Sequence, residues 1–271
     1  LGRERRAGLV ALLLFALLAC SPGSAAVGER ADGAADRGSD RGRLELLRAY
    51  EAEGRRAPAF YQAAWLYFLG EEDKEREEAG RYLRQPRVRA VFSGLRELPE
   101  SVQLTLVALE AGEKLTGSAL RGSLAGQRES VRLMLSRAAV RAGQAERTTD
   151  PVALAARAHC LLAADLGGEA IFWPEYREGR AYLRQAVSLA EQLTRRLPEN
   201  SRAWGLLALA RERLARATGN WELTAEAAAA CEQALSRRES ASMRFALNDL
   251  RGKLGERRDP SSEVRATASS E

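Results

Sequence analysis

One histidine, two methionines and three cysteines are the only nitrogen and sulfur metal ligands among the side chains of this chain of 271 residues that zinc or a softer ion would favour. With His159 alone and no cysteine pair at ligand spacing, the pattern provides no zinc site, and no metal or cofactor is expected. Aromatic residues make up 6% of the chain, and valine, isoleucine and threonine are few, which leaves little material for strands. Long apolar runs are missing as well. The longest, Leu9–Ala19, has 11 residues, whereas a helix crossing a bilayer core of ~30 Å needs roughly 20. That segment does not make a permanent transmembrane anchor. No cluster of lysine and arginine interleaved with aromatics occurs, so a nucleic-acid partner is not expected.

Charge points the same way. Residues 1–19 hold three arginines and one glutamate, so the remaining 252 residues carry 39 basic against 36 acidic side chains, a net charge of +3. The two signs are interspersed, as on solvated helix faces. What the chain does have is alanine, leucine, arginine and glutamate, the composition of a helical protein.

The N-terminal residues have the order of an export signal: Arg3, Arg5 and Arg6, then the apolar stretch, then small and polar residues. Leu17-Leu18-Ala19-Cys20 resembles the lipobox of bacterial lipoproteins. That resemblance implies cleavage after Ala19 and acylation of Cys20, several acyl chains together making a stable bilayer anchor. Leu18 is bulkier than that family usually has, and the alternative is an ordinary secretory signal cut after Ala25 or Ala26. Ser21 in place of aspartate resembles lipoproteins sorted onward, which implies the periplasmic face of the outer membrane. Residues 1–19 are thus read as signal peptide, 20–42 as the lipidated cysteine and a disordered tether, 43–256 as the folded domain and 257–271 as a disordered tail. The tether would reach roughly 25 Å.

From Arg43 onward apolar residues recur at helical spacing, as in Tyr182, Ala186, Leu189, Ala190, Leu193 and Leu197. The spacing predicts helices near 43–54, 58–69, 73–97 with an interruption at Pro86, 101–116, 126–143, 151–166, 175–197, 201–217, 222–238 and 240–254. Breaks fall at Pro99, Asp150-Pro151, Gly167-Gly168, Pro198 and Gly219-Asn220. Tyr82-Leu83-Arg84-Gln85 recurs as Tyr182-Leu183-Arg184-Gln185, Leu98-Pro99-Glu100 as Leu197-Pro198-Glu199, and Leu135-Ser136-Arg137 as Leu235-Ser236-Arg237. Three matches in one order, all 99 or 100 residues apart, predict a duplicated unit of two helical hairpins.

The junction Leu197–Trp204 resembles the seam between tetratricopeptide (TPR) repeats. Pro198 closes one hairpin, and Trp204, Leu207 and Ala208 stand at the family's W-x₂-L-G positions. Ala186 and Ala190 match its small residues in the preceding helix. Arg211 departs from the family's tyrosine, Leu193 from its alanine, and the ~50-residue units from its 34-residue repeat. The resemblance implies an all-α, TPR-like superhelix of about four hairpins. Small residues would let paired helices approach, and Trp204 and Leu207 would fill the gap between hairpins.

Searches for chemistry return little. Gly112 and Gly117 have P-loop spacing, but Ser118 stands where lysine is required. His159 and Cys160 are adjacent on a predicted helix and diverge by about 100°, which excludes a dyad. Glu-Ser pairs at 100–101, 129–130 and 239–240 lack the glycine-rich motifs of helical-ring peptidoglycan-cutting enzymes, and Ser101 and Ser240 read as helix caps. No enzyme is expected. Cys160 and Cys231 read as buried apolar residues, or as a disulfide in an oxidising compartment.

One stretch stands apart. In residues 167–179, Phe172, Trp173 and Tyr176 beside Glu169 and Glu175 either cap a hairpin core or form a binding patch, to which Trp221 would add. Among bacterial TPR-like lipoproteins, holding another envelope protein or peptide is the common role. The alternative is a ligand-binding accessory lipoprotein of a TRAP-type solute transporter.

Overall fold

The computed structural model describes residues 39–93, 99–120, 149–172 and 179–258. Among these residues every regular element is an α-helix: α1 (Asp40–Ala52), α2 (Arg56–Leu69), α3 (Asp73–Leu83), α4 (Pro86–Ser93), α5 (Glu100–Leu120), α6 (Pro151–Phe172), α7 (Gly179–Arg196), α8 (Ser201–Thr218), α9 (Trp221–Arg237) and α10 (Ala241–Arg258). The all-α class is therefore established for the described residues, which are compatible with a helical-repeat protein. The segment expected to be helical at 126–143 lies outside them.

Helix ends follow from local chemistry. Ser39 Oγ accepts the Gly42 N–H at 3.1 Å to start α1, and Asp150 Oδ2 accepts Ala153 N–H at 3.2 Å ahead of Pro151. Helix α3 has no side-chain cap of its own. Asp40 Oδ2, from α1, accepts the Glu71 and Glu72 N–H groups at 2.5 and 2.8 Å and fixes the turn that leads into α3. Gly219 closes α8 in the left-handed region, at φ 70°, where a Cβ would be strained.

Pro86 breaks the predicted 73–97 segment, as expected, and becomes the first residue of α4. The break gives the repeated tetrapeptide two settings. Tyr82-Leu83 ends α3, whereas Tyr182-Leu183 lies in the first turns of α7, which continues through Ala186. Leu83 and Leu183 are both fully buried.

Two expectations are corrected. Gly167-Gly168 does not end a helix, because α6 runs through both glycines to Phe172. Each glycine weakens a helix by about 1 kcal/mol, which the surrounding alanines and leucines outweigh. Ser101 lies inside α5, after Glu100, and does not cap it. Its carbonyl instead accepts the Thr105 hydroxyl at 2.6 Å. Ser240 does cap, with Oγ accepting Met243 N–H at 3.4 Å.

The chain forms two compact units, divided between Arg177 and Glu178. In the N-terminal unit, α2 packs against α1, α3, α5 and α6. Phe60 of α2 meets Phe92 of α4 at 4.6 Å between ring centroids, and both are buried with Leu66, Leu69 and Leu154. In the C-terminal unit the packing follows chain order, α7 on α8, α8 on α9, and α9 on α10.

Candidate functional site

The C-terminal unit gathers most of the residues that the sequence singles out. After α7 the chain turns through Leu197–Asn200, where Asn200 N–H donates to Leu197 O at 3.1 Å. Asn200 Oδ1 then accepts Ala203 N–H at 2.9 Å and starts α8. Trp204, one turn on, donates its indole N–H to Pro198 O at 2.8 Å. Arg237, in the last turn of α9, lies 5.0 Å from the Trp204 ring and donates Nε–H to the same carbonyl. The seam is therefore closed by one carbonyl, one indole and one guanidinium, and the tryptophan is half-buried rather than filling a core.

Ala186 and Ala190 are fully buried on the α7 face turned to α8, and Leu207 and Ala208 are buried on α8. A Cβ on Gly205 would stand 2.8 Å from Met243 Cε of α10, the flexible end of a side chain that can move aside, so this glycine marks a close approach of α8 and α10 rather than a steric requirement. Pro198 itself is exposed.

Arg211, the departure from the TPR-type tyrosine, has a role that its sequence position did not suggest. Its NH2 donates to Glu191 Oε1 of α7 at 3.0 Å, and its Nε stands 3.3 Å from Glu226 Oε2 of α9 without a hydrogen bond. One side chain thus joins three helices. Glu212, beside it, is buried, with Lys253 Nζ at 3.5 Å and Arg216 Nε at 3.7 Å from Oε1.

The expected binding residues fare differently. Phe172 is the last residue of α6, and Trp173, Glu175 and Tyr176 lie outside the described residues, as does Cys20. Trp221 is the first residue of α9, next to its cap Asn220, and 53% exposed. Phe245 of α10, which sequence reasoning missed, is 65% exposed. It is out of phase with the buried Leu247 and Leu250, and that phase was the available signal.

Reactive groups are held in unreactive settings. Burial pushes the Cys160 thiol up to about 12, and its Sγ stands 3.7 Å from Leu104 O. Burial, and then the charges of Glu232 and Glu212, push the Cys231 thiol up to about 11. Both cysteines are free, and as neutral thiols they are poor nucleophiles at physiological pH. The His159 ring stacks on Phe68 at 5.1 Å. Tyr61 donates to Asp150 Oδ1 at 2.7 Å, and its own deprotonation is pushed up by burial and by that carboxylate. Arg43 lies 3.8 Å over the Trp65 ring and donates to Gln62 Oε1 at 3.1 Å; burial lowers its pKa. Among the described residues no three His, Cys, Asp or Glu side chains converge as a metal site would require, and no helix is long and apolar enough to cross a membrane.

No protein-family model, no curated protein and no solved structure matches the chain.

Proposed function

We propose that the protein is a membrane-tethered, non-catalytic helical scaffold of the bacterial cell envelope that holds another envelope protein or a peptide. The observation that carries this reading is the C-terminal unit. Its helices pack in chain order around small residues at positions 186, 190 and 208, with a proline–tryptophan seam between successive elements. That is the way TPR-type repeats form extended binding surfaces. Leu17–Cys20 supports tethering through an acylated cysteine. The buried, neutral thiols and the stacked histidine fit a protein that binds rather than reacts.

Crosslinking in intact membranes, followed by purification and identification of the adduct, tests the proposal. Recovery of one envelope protein in stoichiometric yield supports it. Recovery of a small molecule alone would transfer the protein to the transporter-accessory class.

A further inference from the structure

We propose that the exposed face of α7 is a contact surface for anionic phospholipid. Helix α7 carries Arg180, Arg184, Arg195 and Arg196, all exposed, and among the described residues none of them pairs with a carboxylate. Several arginines elsewhere are paired, Arg48 with Glu78, Arg87 with Glu51, Arg89 with Glu113, Arg244 with Glu239 and Arg251 with Glu232, while Arg43 and Arg237 donate to Gln62 and to Pro198 O. The single acid of α7, Glu191, lies on the same side but is occupied by Arg211 at 3.0 Å.

Helix geometry aligns these charges. At 100° and 1.5 Å per residue, Arg180, Arg184 and Arg195 fall within about 60° of one another and span roughly 22 Å. Helix stability does not account for the pattern. Arginines near the C-terminus complement the helix dipole, as Arg195 and Arg196 do, but Arg180 and Arg184 stand in the first two turns, where that dipole opposes them.

The chemistry of the face selects among anions. Exposed Ala181 and Ser188 flank the arginine line, Glu191 within it is paired to Arg211, and no aromatic side chain stands on this face. Protein hot spots pair arginine with Trp and Tyr, which this face lacks, and a small anion needs a concave site. A line of cations without carboxylate partners, flanked by small residues, suits a planar array of lipid phosphates, to which each nearby arginine adds roughly fivefold in binding. The inference goes beyond the tethered-scaffold reading and does not require acylation of Cys20, since vesicle binding is read on unacylated protein.

The test is co-sedimentation of the full chain with vesicles of phosphatidylcholine alone or mixed with phosphatidylglycerol. Any contribution of Leu9–Ala19 is common to every variant. The variant R180Q/R184Q/R195Q should bind the mixed vesicles about 100-fold more weakly, with no change on phosphatidylcholine and an unchanged circular-dichroism melt. The variant R180K/R184K/R195K keeps the charges and should retain binding within a few-fold. Equal binding of the glutamine variant and wild type would overturn the proposal. So would glutamine substitution that spares vesicle binding but abolishes capture of a membrane protein, an outcome that would assign the face to an acidic protein.

Discussion

In the N-terminal unit one helix, α2, meets five others, whereas in the C-terminal unit the main packing follows chain order. The first arrangement closes on itself, and inter-helix ion pairs tie its outer helices: Arg48–Glu78 joins α1 to α3, Arg87–Glu51 joins α1 to α4, and Arg89–Glu113 joins α4 to α5. In the second, most contacts run between successive helices, and α10 also reaches α8, where Lys253 Nζ stands 3.5 Å from Glu212 Oε1. Its last helix, α10, buries Leu247 and Leu250 on one side, exposes Arg244, Phe245, Asn248 and Asp249 on another, and pairs Arg251 with Glu232 of α9. Helical spacing alone does not distinguish the two designs; the order of contacts does.

The contrast can be broken by point substitutions. We predict the largest effect for Phe60→Ala, which removes a fully buried ring from α2 and should destabilise by about 3–5 kcal/mol. Hydrogen exchange should then rise in α1, α3, α4, α5 and α6 together, because all five meet α2. Leu250→Ala should cost about 2–4 kcal/mol, with the loss of protection confined to α10 and the turns of α8 and α9 that face it. Equal loss throughout α7 and α8 would show that the C-terminal unit is not a linear stack.

Charged bridges should sharpen the comparison at smaller scale. Arg211→Met leaves Glu191 and Glu226 unpaired across three helices and should cost about 1–2 kcal/mol in denaturant unfolding. The corresponding change at the exposed Arg87–Glu51 pair should cost under about 1 kcal/mol and vanish in high salt.

The smallest effect at neutral pH belongs to the buried thiols. Their folded-state pKa values are raised from 9.0 to about 12 for Cys160 and about 11 for Cys231. The neutral form is therefore favoured by folding, and this contribution is complete below pH 9. It falls as pH rises, because the unfolded chain then loses protons that the folded one keeps. Neither cysteine should react with a thiol reagent in the native protein at pH 8, and both should react on unfolding. Rapid native-state labelling of either would contradict the packing described.

Much of the local structure was legible in the residues. Pro86, Asp150-Pro151, Asn200 and Gly219-Asn220 end or begin helices through capping and fixed dihedrals, which depend on neighbours in sequence. Gly167-Gly168 misled, because two residues of low helix propensity do not by themselves stop a helix of alanine and leucine. The central position of α2 was not legible, since it depends on which distant faces meet. Arg211 stood out only as a departure from a TPR-type pattern. Its link between Glu191 and Glu226 required the three helices to be in place. The repeated Tyr-Leu-Arg-Gln was a partial guide: Pro86 stands where the second copy has Ala186, so a break of the first copy was expected, and it puts Tyr82-Leu83 at a helix end.

The most direct test of the scaffold proposal is the double substitution Trp173→Ala and Tyr176→Ala, read by partner crosslinking in membranes and by circular-dichroism melting in parallel. A binding role predicts loss of the crosslinked adduct with an unchanged melt. A large fall in melting temperature, or an adduct that survives both substitutions, would contradict it.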